Sequence, residues 1–145
     1  RSQNVSVTRT FVRTGSDVAY FDASALHKLA VGEPESEALR QAARAWPRRV
    51  TSRLAVVELI RSVRRADPAL EPAARRLLAR VTLLVDTNRV LVGATQLEPQ
   101  TLRALDAIHV TTALRVGSAL SAFVSYDRRQ LEAAEALGLP VASPR

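Results

Sequence analysis

Val18-Ala19-Tyr20-Phe21-Asp22-Ala23-Ser24-Ala25-Leu26 is the stretch on which the fold turns. Its first four residues have no polar position and are too few for a helix, so they read as a short strand buried on both faces. A carboxylate ends that strand, and Ser24 can cap a helix running through Leu26 and Leu29. The pattern recurs near the other end of the chain. There residues 122–125 read as a strand, Tyr126-Asp127 follows, and residues 128–137 form an amphipathic helix stopped at Gly138.

Between these two units, strands and helices alternate. A turn at residues 32–34 opens a helix with Leu39, Ala42, Ala43 and Trp46 on its apolar side. Residues 49–51 predict a strand, and residues 54–65 a helix with Leu54, Val57 and Ile60 apolar and Arg61, Arg64 and Arg65 as a basic stripe. Another helix follows Pro68. The pattern then predicts a strand over 81–85, a helix over 87–97, a longer helix over 101–116 ended by Gly117, and a last short strand near Val141. Strands separated by helices predict an α/β fold, a three-layer α/β/α domain around a mostly parallel sheet, spanning residues 18–145. Residues 1–17 are polar, end in Gly15-Ser16-Asp17 and read as a tail or artificial extension.

Composition narrows the chemistry. The 145 residues are 47% apolar and 24% charged, with no cysteine and two histidines, His27 and His109. A disulfide scaffold, a thiolate zinc site and a cysteine nucleophile are thereby excluded, and a His-rich metal site is disfavoured. Charged residues interrupt every apolar run well before the roughly 18 residues of a membrane span. With no secretory signal at its start, the chain is expected in the cytoplasm, away from any membrane. The net charge is +7, carried by arginine with Lys28 as the one lysine. Arginine grips phosphate with a planar fork of donors, so a polyanion is a plausible partner. Neither GxxxxGK[ST] nor GxGxxG occurs, which argues against a nucleotide-binding loop.

In parallel α/β folds ligands bind at the carboxyl ends of the strands, which is where Asp22 and Asp127 fall. Either can serve simply as a helix N-cap. Asp106 lies in Leu102-Arg103-Ala104-Leu105-Asp106-Ala107-Ile108-His109-Val110, a helix apolar around most of its circumference. A charge there needs a partner, such as Arg103, or a metal. Glu58 interrupts Leu54-Ala55-Val56-Val57-Glu58-Leu59-Ile60 and can pair with Arg61 one turn later. If all four acids converge, each close pair repels by about 4 kcal/mol at an effective dielectric of 20, so the cluster needs a cation. Oxygen ligands select a hard ion, Mg²⁺ or Mn²⁺, which activates water and supports phosphodiester hydrolysis. Acid cluster and basic surface together point to a nuclease.

The four motifs Ala19-Tyr20-Phe21-Asp22-Ala23-Ser24-Ala25-Leu26, Val56-Val57-Glu58-Leu59, Leu105-Asp106-Ala107-Ile108-His109 and Phe123-Val124-Ser125-Tyr126-Asp127, in this order, resemble a PIN-domain ribonuclease. The likeness is greatest to a VapC-type toxin of bacterial VapBC toxin-antitoxin modules. That resemblance implies that Asp22, Glu58, Asp106 and Asp127 form a catalytic metal site for Mg²⁺ or Mn²⁺. It puts Ser24 and Ser125 in supporting positions behind the carboxylates, and it makes His109 a helix residue packed near the site. It further implies a homodimer, a VapB-type antitoxin partner and a structured RNA substrate of the tRNA or rRNA class. Arg48, Arg49, Arg53, Arg61, Arg64 and Arg65 are candidate phosphate contacts. Other readings are an RNA-processing PIN nuclease outside a toxin-antitoxin module and an inert RNA- or partner-binding domain. A phosphatase using Asp22 as nucleophile is disfavoured, because Ser24 stands where that chemistry has a second Asp.

Overall fold

A computed structural model describes residues 17–145; the expected tail over residues 1–17 lies outside the described residues except for Asp17. The apolar stretch Val18–Phe21 forms β1, and all four of its residues are buried. Then come α1 (Ala23–Ala30), α2 (Ser36–Ala43), β2 (Arg48–Ser52), α3 (Leu54–Ala66), α4 (Glu71–Leu78), β3 (Thr82–Leu84) and α5 (Asn88–Gln96). The chain ends with α6 (Ala104–Val116), β4 (Leu120–Val124), α7 (Arg128–Ala136) and β5 (Val141–Ala142). Among the described residues the sheet has five strands in the order β3-β2-β1-β4-β5, and every pairing is parallel. The expected α/β fold with helices on both faces is thus the observed one. Among these residues no helix is long and apolar enough to cross a membrane.

The alternation of side chains along the strands builds two cores. Ala19 and Phe21 of β1, with Ala122 and Val124 of β4, pack against α1 to α4 through Leu26, Leu39, Leu59, Val63 and Leu78. Val18 and Tyr20, with Val50, Leu120 and Phe123, pack on the other face against Val110 and Ala113 of α6 and Ala133 and Ala134 of α7. A strand covered on both faces has no solvent side, which is why β1 and β4 read as continuous apolar runs. Gly117, with φ of 68°, ends α6, and Gly138, with φ of 84°, follows α7; both occupy a backbone region that side chains disfavour.

Local details depart from the sequence expectations. Of the two caps the sequence offers for α1, Asp22 is the one used, its carboxylate accepting the Ala25 N–H with Ser24 inside the first turn. Helix α2 stops at Ala43, so Trp46 lies beyond it and meets Phe21 edge-on, with ring centroids 6.1 Å apart. Helix α6 begins at Ala104 instead of 101, since Arg103 is extended and the Leu102 N–H closes a turn on the Pro99 carbonyl at 3.0 Å. Leu102, expected within the helix, becomes a buried anchor of the preceding loop.

The chain leaves β1 toward β2 on one side, and β4 enters on the other. The crevice at a strand-order reversal of this kind opens at the carboxyl ends of β1 and β4. Asp22 follows β1, and Ser125 and Asp127 follow β4. Leu59 is fully buried beneath α3, whereas its neighbour Val57 is 58% exposed. Leu59→Ala is expected to cost about 2–5 kcal/mol and Val57→Ser less than about 0.5 kcal/mol in urea unfolding. A larger loss at Val57 than at Leu59 would show that α3 packs with the other face inward.

Candidate active site

Asp22 is the most enclosed of the four acids, at 3% exposure. Its backbone N–H still belongs to the sheet, donating to the Val124 carbonyl at 3.1 Å. Its Oδ1 accepts from Ser24 Oγ at 2.7 Å and from the Ala25 N–H at 2.9 Å, while Oδ2 accepts from Ser125 Oγ at 2.5 Å. Each serine is oriented in turn, since Ser24 Oγ accepts the Tyr126 N–H at 2.9 Å and Ser125 Oγ accepts the Asp127 N–H at 3.0 Å. Burial pushes the Asp22 carboxyl above the usual carboxylate range, against the lowering effect of the two serine hydroxyls and of His109. An ionised carboxylate has about four lone-pair sites. Three donors therefore leave one on Oδ2.

Asp106 stands in the first turn of α6, where the helix dipole favours an anion. Its Oδ1 accepts from Gln130 Nε2 at 3.1 Å, and the pairing with Arg103 considered above is not the contact formed. Partial burial raises its pKa first, and the charges of Asp127, Asp22 and Glu58 push the same way, with His109 opposing. Asp127 caps α7 as its position suggests, Oδ1 accepting from the Arg129 N–H at 2.9 Å and the Gln130 N–H at 3.2 Å. Glu58 does not take Arg61. Its Oε1 lies 2.6 Å from His109 Nε2, and the imidazole is 1% exposed with Nδ1 2.5 Å from Tyr20 Oη.

The four acids thus face one strand-end region, and Asp106 feels the charge of the other three. As placed, no group of three or more His, Cys, Asp or Glu side chains among the described residues is close enough to hold a metal ion together. The donor set still fits a hard cation, which takes oxygen ligands. Mg²⁺ uses one or two carboxylates and keeps several waters. Asp22, with one lone pair in reserve, and Asp106, with one oxygen engaged by Gln130, are suited to supply them.

Two openings flank the acids. A cleft of about 700 Å³ includes Ser24 and Glu58 and is lined by Arg61 and Arg65, with exposed Val57 and Leu105 at its edge. A smaller one, about 390 Å³, gathers Arg103, Asp106, Asp127, Arg128 and Arg129. Of the other arginines singled out in the sequence, Arg64 binds the Glu71 carboxylate at 2.6 and 2.9 Å, Arg48 pairs with Asp17, and Arg49 donates to the Ala43 and Trp46 carbonyls. Arg128, Arg129 and Gln130 went unnoticed in the sequence, and Arg103 was singled out only as a partner for Asp106. For the arginines the available signal was their position within three residues of Asp106 or Asp127; for Gln130, three residues after Asp127 in α7, nothing linear points to Asp106.

A family model for the PIN domain matches residues 19–136. The chain belongs to the PIN-domain family. Ribonuclease VapC46 of Mycobacterium tuberculosis is 46% identical over 125 residues, covering 86% of this chain and 96% of that protein. Ribonucleases VapC47 and VapC35 from the same organism are 41% and 42% identical over 130 and 129 residues, with the same coverage. In three dimensions the PIN fold here superposes on Mycobacterium tuberculosis VapC20, a Sarcin-Ricin loop cleaving toxin, with a TM-score of 0.68 at 17% identity, covering 83% of this chain and 95% of that one. A toxin-antitoxin complex from Klebsiella pneumoniae gives 0.66 at 22% identity, covering 88% of this chain and 98% of the matched chain. At those identities the two structures attest the PIN fold alone.

The Arg64–Glu71–Arg75 cluster beside the basic stripe has a pH signature. Arg64 first, then Arg75, hold the Glu71 carboxyl at about 2, below its ordinary 4.5. A depressed folded pKa gives stability that is present above the unfolded value and lost as pH falls through the folded one. Glu71→Gln is therefore expected to lower the Tm at pH 7 by a small, salt-sensitive amount, and the gap should close between pH 4.5 and about 2. A gap that stayed constant across that range would assign the effect to packing.

Proposed function

We propose that this chain is an endoribonuclease of VapC type, hydrolysing phosphodiester bonds in structured RNA of the tRNA or rRNA class at the Asp22–Glu58–Asp106–Asp127 site with Mg²⁺, or Mn²⁺ in its place. The observation that carries the reading is the placing of four carboxylates around one strand-order reversal, where Asp127, Asp22 and Glu58 all push the Asp106 carboxyl upward. Such a cluster is unfavourable without a cation and useful with one. When bound, a divalent ion supplies Lewis acidity for the phosphoryl oxygens and a nucleophile from water at neutral pH.

The protein's own part is positioning. Asp22 and Asp106 would hold the cation, and Ser24 and Ser125 keep the Asp22 oxygens oriented through bonds of 2.7 and 2.5 Å. Glu58 would add a carboxylate oxygen for the cation or its waters, and Asp127 completes the negative field. Arg61 and Arg65 on one side and Arg103 and Arg129 on the other offer phosphate contacts along a strand that crosses the acids, while Arg128 donates to Glu132 at 2.8 Å. Arg64, held by Glu71, is withdrawn from that set.

The identity to VapC ribonucleases supports a toxin role, with a VapB-type antitoxin and a homodimeric state as the corresponding partners and the cytoplasm as the place of action. The exposed apolar residues Val57 and Leu105 beside the acids suit such a protein partner.

The test is cleavage of total cellular RNA by the purified chain in Mg²⁺, Mn²⁺ or EDTA. Asp22→Asn and Asp106→Asn are each expected to lower the rate by at least about 100-fold with the fold retained. Full activity in both variants, or in EDTA, would reject the site; no cleavage by folded, metal-loaded protein would favour an inert binding domain. For RNA binding, Arg61→Ala and Arg65→Ala should each reduce the salt slope by about 1, and Arg64→Ala should leave it unchanged.

A further inference from the structure

The acid Glu58 is the least fixed of the four by its own element. It lies on α3, its side chain is 22% exposed, and Arg61 waits one turn along the same helix as an easy partner. Yet its Oε1 is turned to the buried His109 at 2.6 Å. The imidazole is itself held from behind. Its Nδ1 lies 2.5 Å from Tyr20 Oη, the two rings meet edge-on with centroids 5.7 Å apart, and Tyr20 is stacked on Phe123 at 5.5 Å.

The hydrogen-bond chain continues across the sheet. Tyr20 Oη accepts the Ser52 N–H at 3.1 Å, and Ser52 Oγ donates to the Asp86 carboxylate at 2.7 and 2.9 Å. An ionised Glu58 can only accept, so Nε2 carries the hydrogen that faces it, and the tyrosine hydroxyl has one proton to give to Nδ1. Given to Nδ1, that proton sets the imidazole tautomer with hydrogen on Nε2, the atom that faces Glu58. The second carboxylate oxygen of Glu58 is then the one left to offer a cation.

We propose that His109, oriented by Tyr20, is a positioning residue that holds Glu58 in the acidic site and out of reach of Arg61. The proposal rests on the metal-dependent reading above. It assigns to the core a task in the site: β1 leads directly into Asp22 and supplies Tyr20 two residues earlier, in the core shared with α6, so one strand places two of the acids, one directly and one through two side chains.

The experiment uses the full chain and two amide replacements of similar polarity. His109→Gln can place its amide N–H where Nε2 stood and keep Glu58; His109→Asn reaches only as far as Nδ1 and keeps Tyr20 alone. In Mn²⁺ titration by calorimetry, His109→Asn is expected to lose about 10- to 100-fold in affinity, with kcat falling and KM for RNA little changed, while His109→Gln recovers most of both. Thermal unfolding in EDTA reports on the fold separately. Equal losses in the two variants, or equal retention, would overturn the positioning role and leave His109 as packing.

A second readout needs no metal and covers the case in which either amide variant fails to fold. In EDTA the wild-type His109 Nε2–H should give an exchange-protected imidazole NMR signal that Glu58→Gln shifts strongly and Arg61→Ala leaves in place; absence of that response overturns the pairing. A wild type that shows the signal but binds no Mn²⁺ overturns the metal-dependent reading, and the positioning of a cation ligand falls with it.

Discussion

Asp22 sits at the carboxyl end of the central strand, at a point enclosed by two helical layers, and water cannot solvate it there. Burying an ionised carboxylate costs several kcal/mol unless donors replace its hydration. Three donors do so, the Ser24 and Ser125 hydroxyls and the Ala25 N–H. Each comes from a different structural obligation: Ser24 from the first turn of α1, Ser125 from the end of β4, Ala25 from the need to cap a helix. The β1–β4 pairing and the start of α1 are therefore tied to a single charge. Disturbing any one of them exposes or orphans it.

The remaining acids are held less deeply and by different means. Asp127 spends one oxygen capping α7, Asp106 leans on Gln130 from that same helix, and Glu58 is held by a histidine from α6. Gln130 consequently links two of the acids, its backbone N–H donating to Asp127 and its side chain to Asp106. The packing pushes the Asp22 and Asp106 carboxyls upward, and the charge of His109 opposes it at both. Arginines line the openings on either side. This division, acids within and arginines at the rim, suits a phosphodiester better than a simple anion or a simple cation. It is also the arrangement expected of a nuclease, in which the rim grips the backbone and the acids act on one bond of it.

Much of the fold was legible because it rests on short-range physics. An apolar tetrapeptide followed by Asp and a helical run can scarcely be read other than as a buried strand entering a helix, and the same unit at residues 122–137 repeats the lesson. Where the reading slipped, a local alternative of similar energy had won. Leu102 had the character of a helix residue and was used to anchor a loop; Ser24 had the character of a cap and yielded the place to Asp22. The acids themselves were conspicuous, since a carboxylate in an apolar helix or at a strand end is costly and needs a reason.

Their partners were not conspicuous. Glu58 and Arg61 are one turn apart, and nothing in the linear chain says that Glu58 will prefer a histidine 51 residues away. Arg64 looks as available as Arg61 and Arg65 until α4 brings Glu71 against it. The sequence by itself determined the alternation of strands and helices, the parallel sheet and the four acidic positions, because these follow from hydrophobic period and from the cost of a buried charge. Only the tertiary structure decided which donors hold each acid and which arginines remain for a ligand, because hydrogen bonds reach across about 3 Å of space and take no account of distance along the chain.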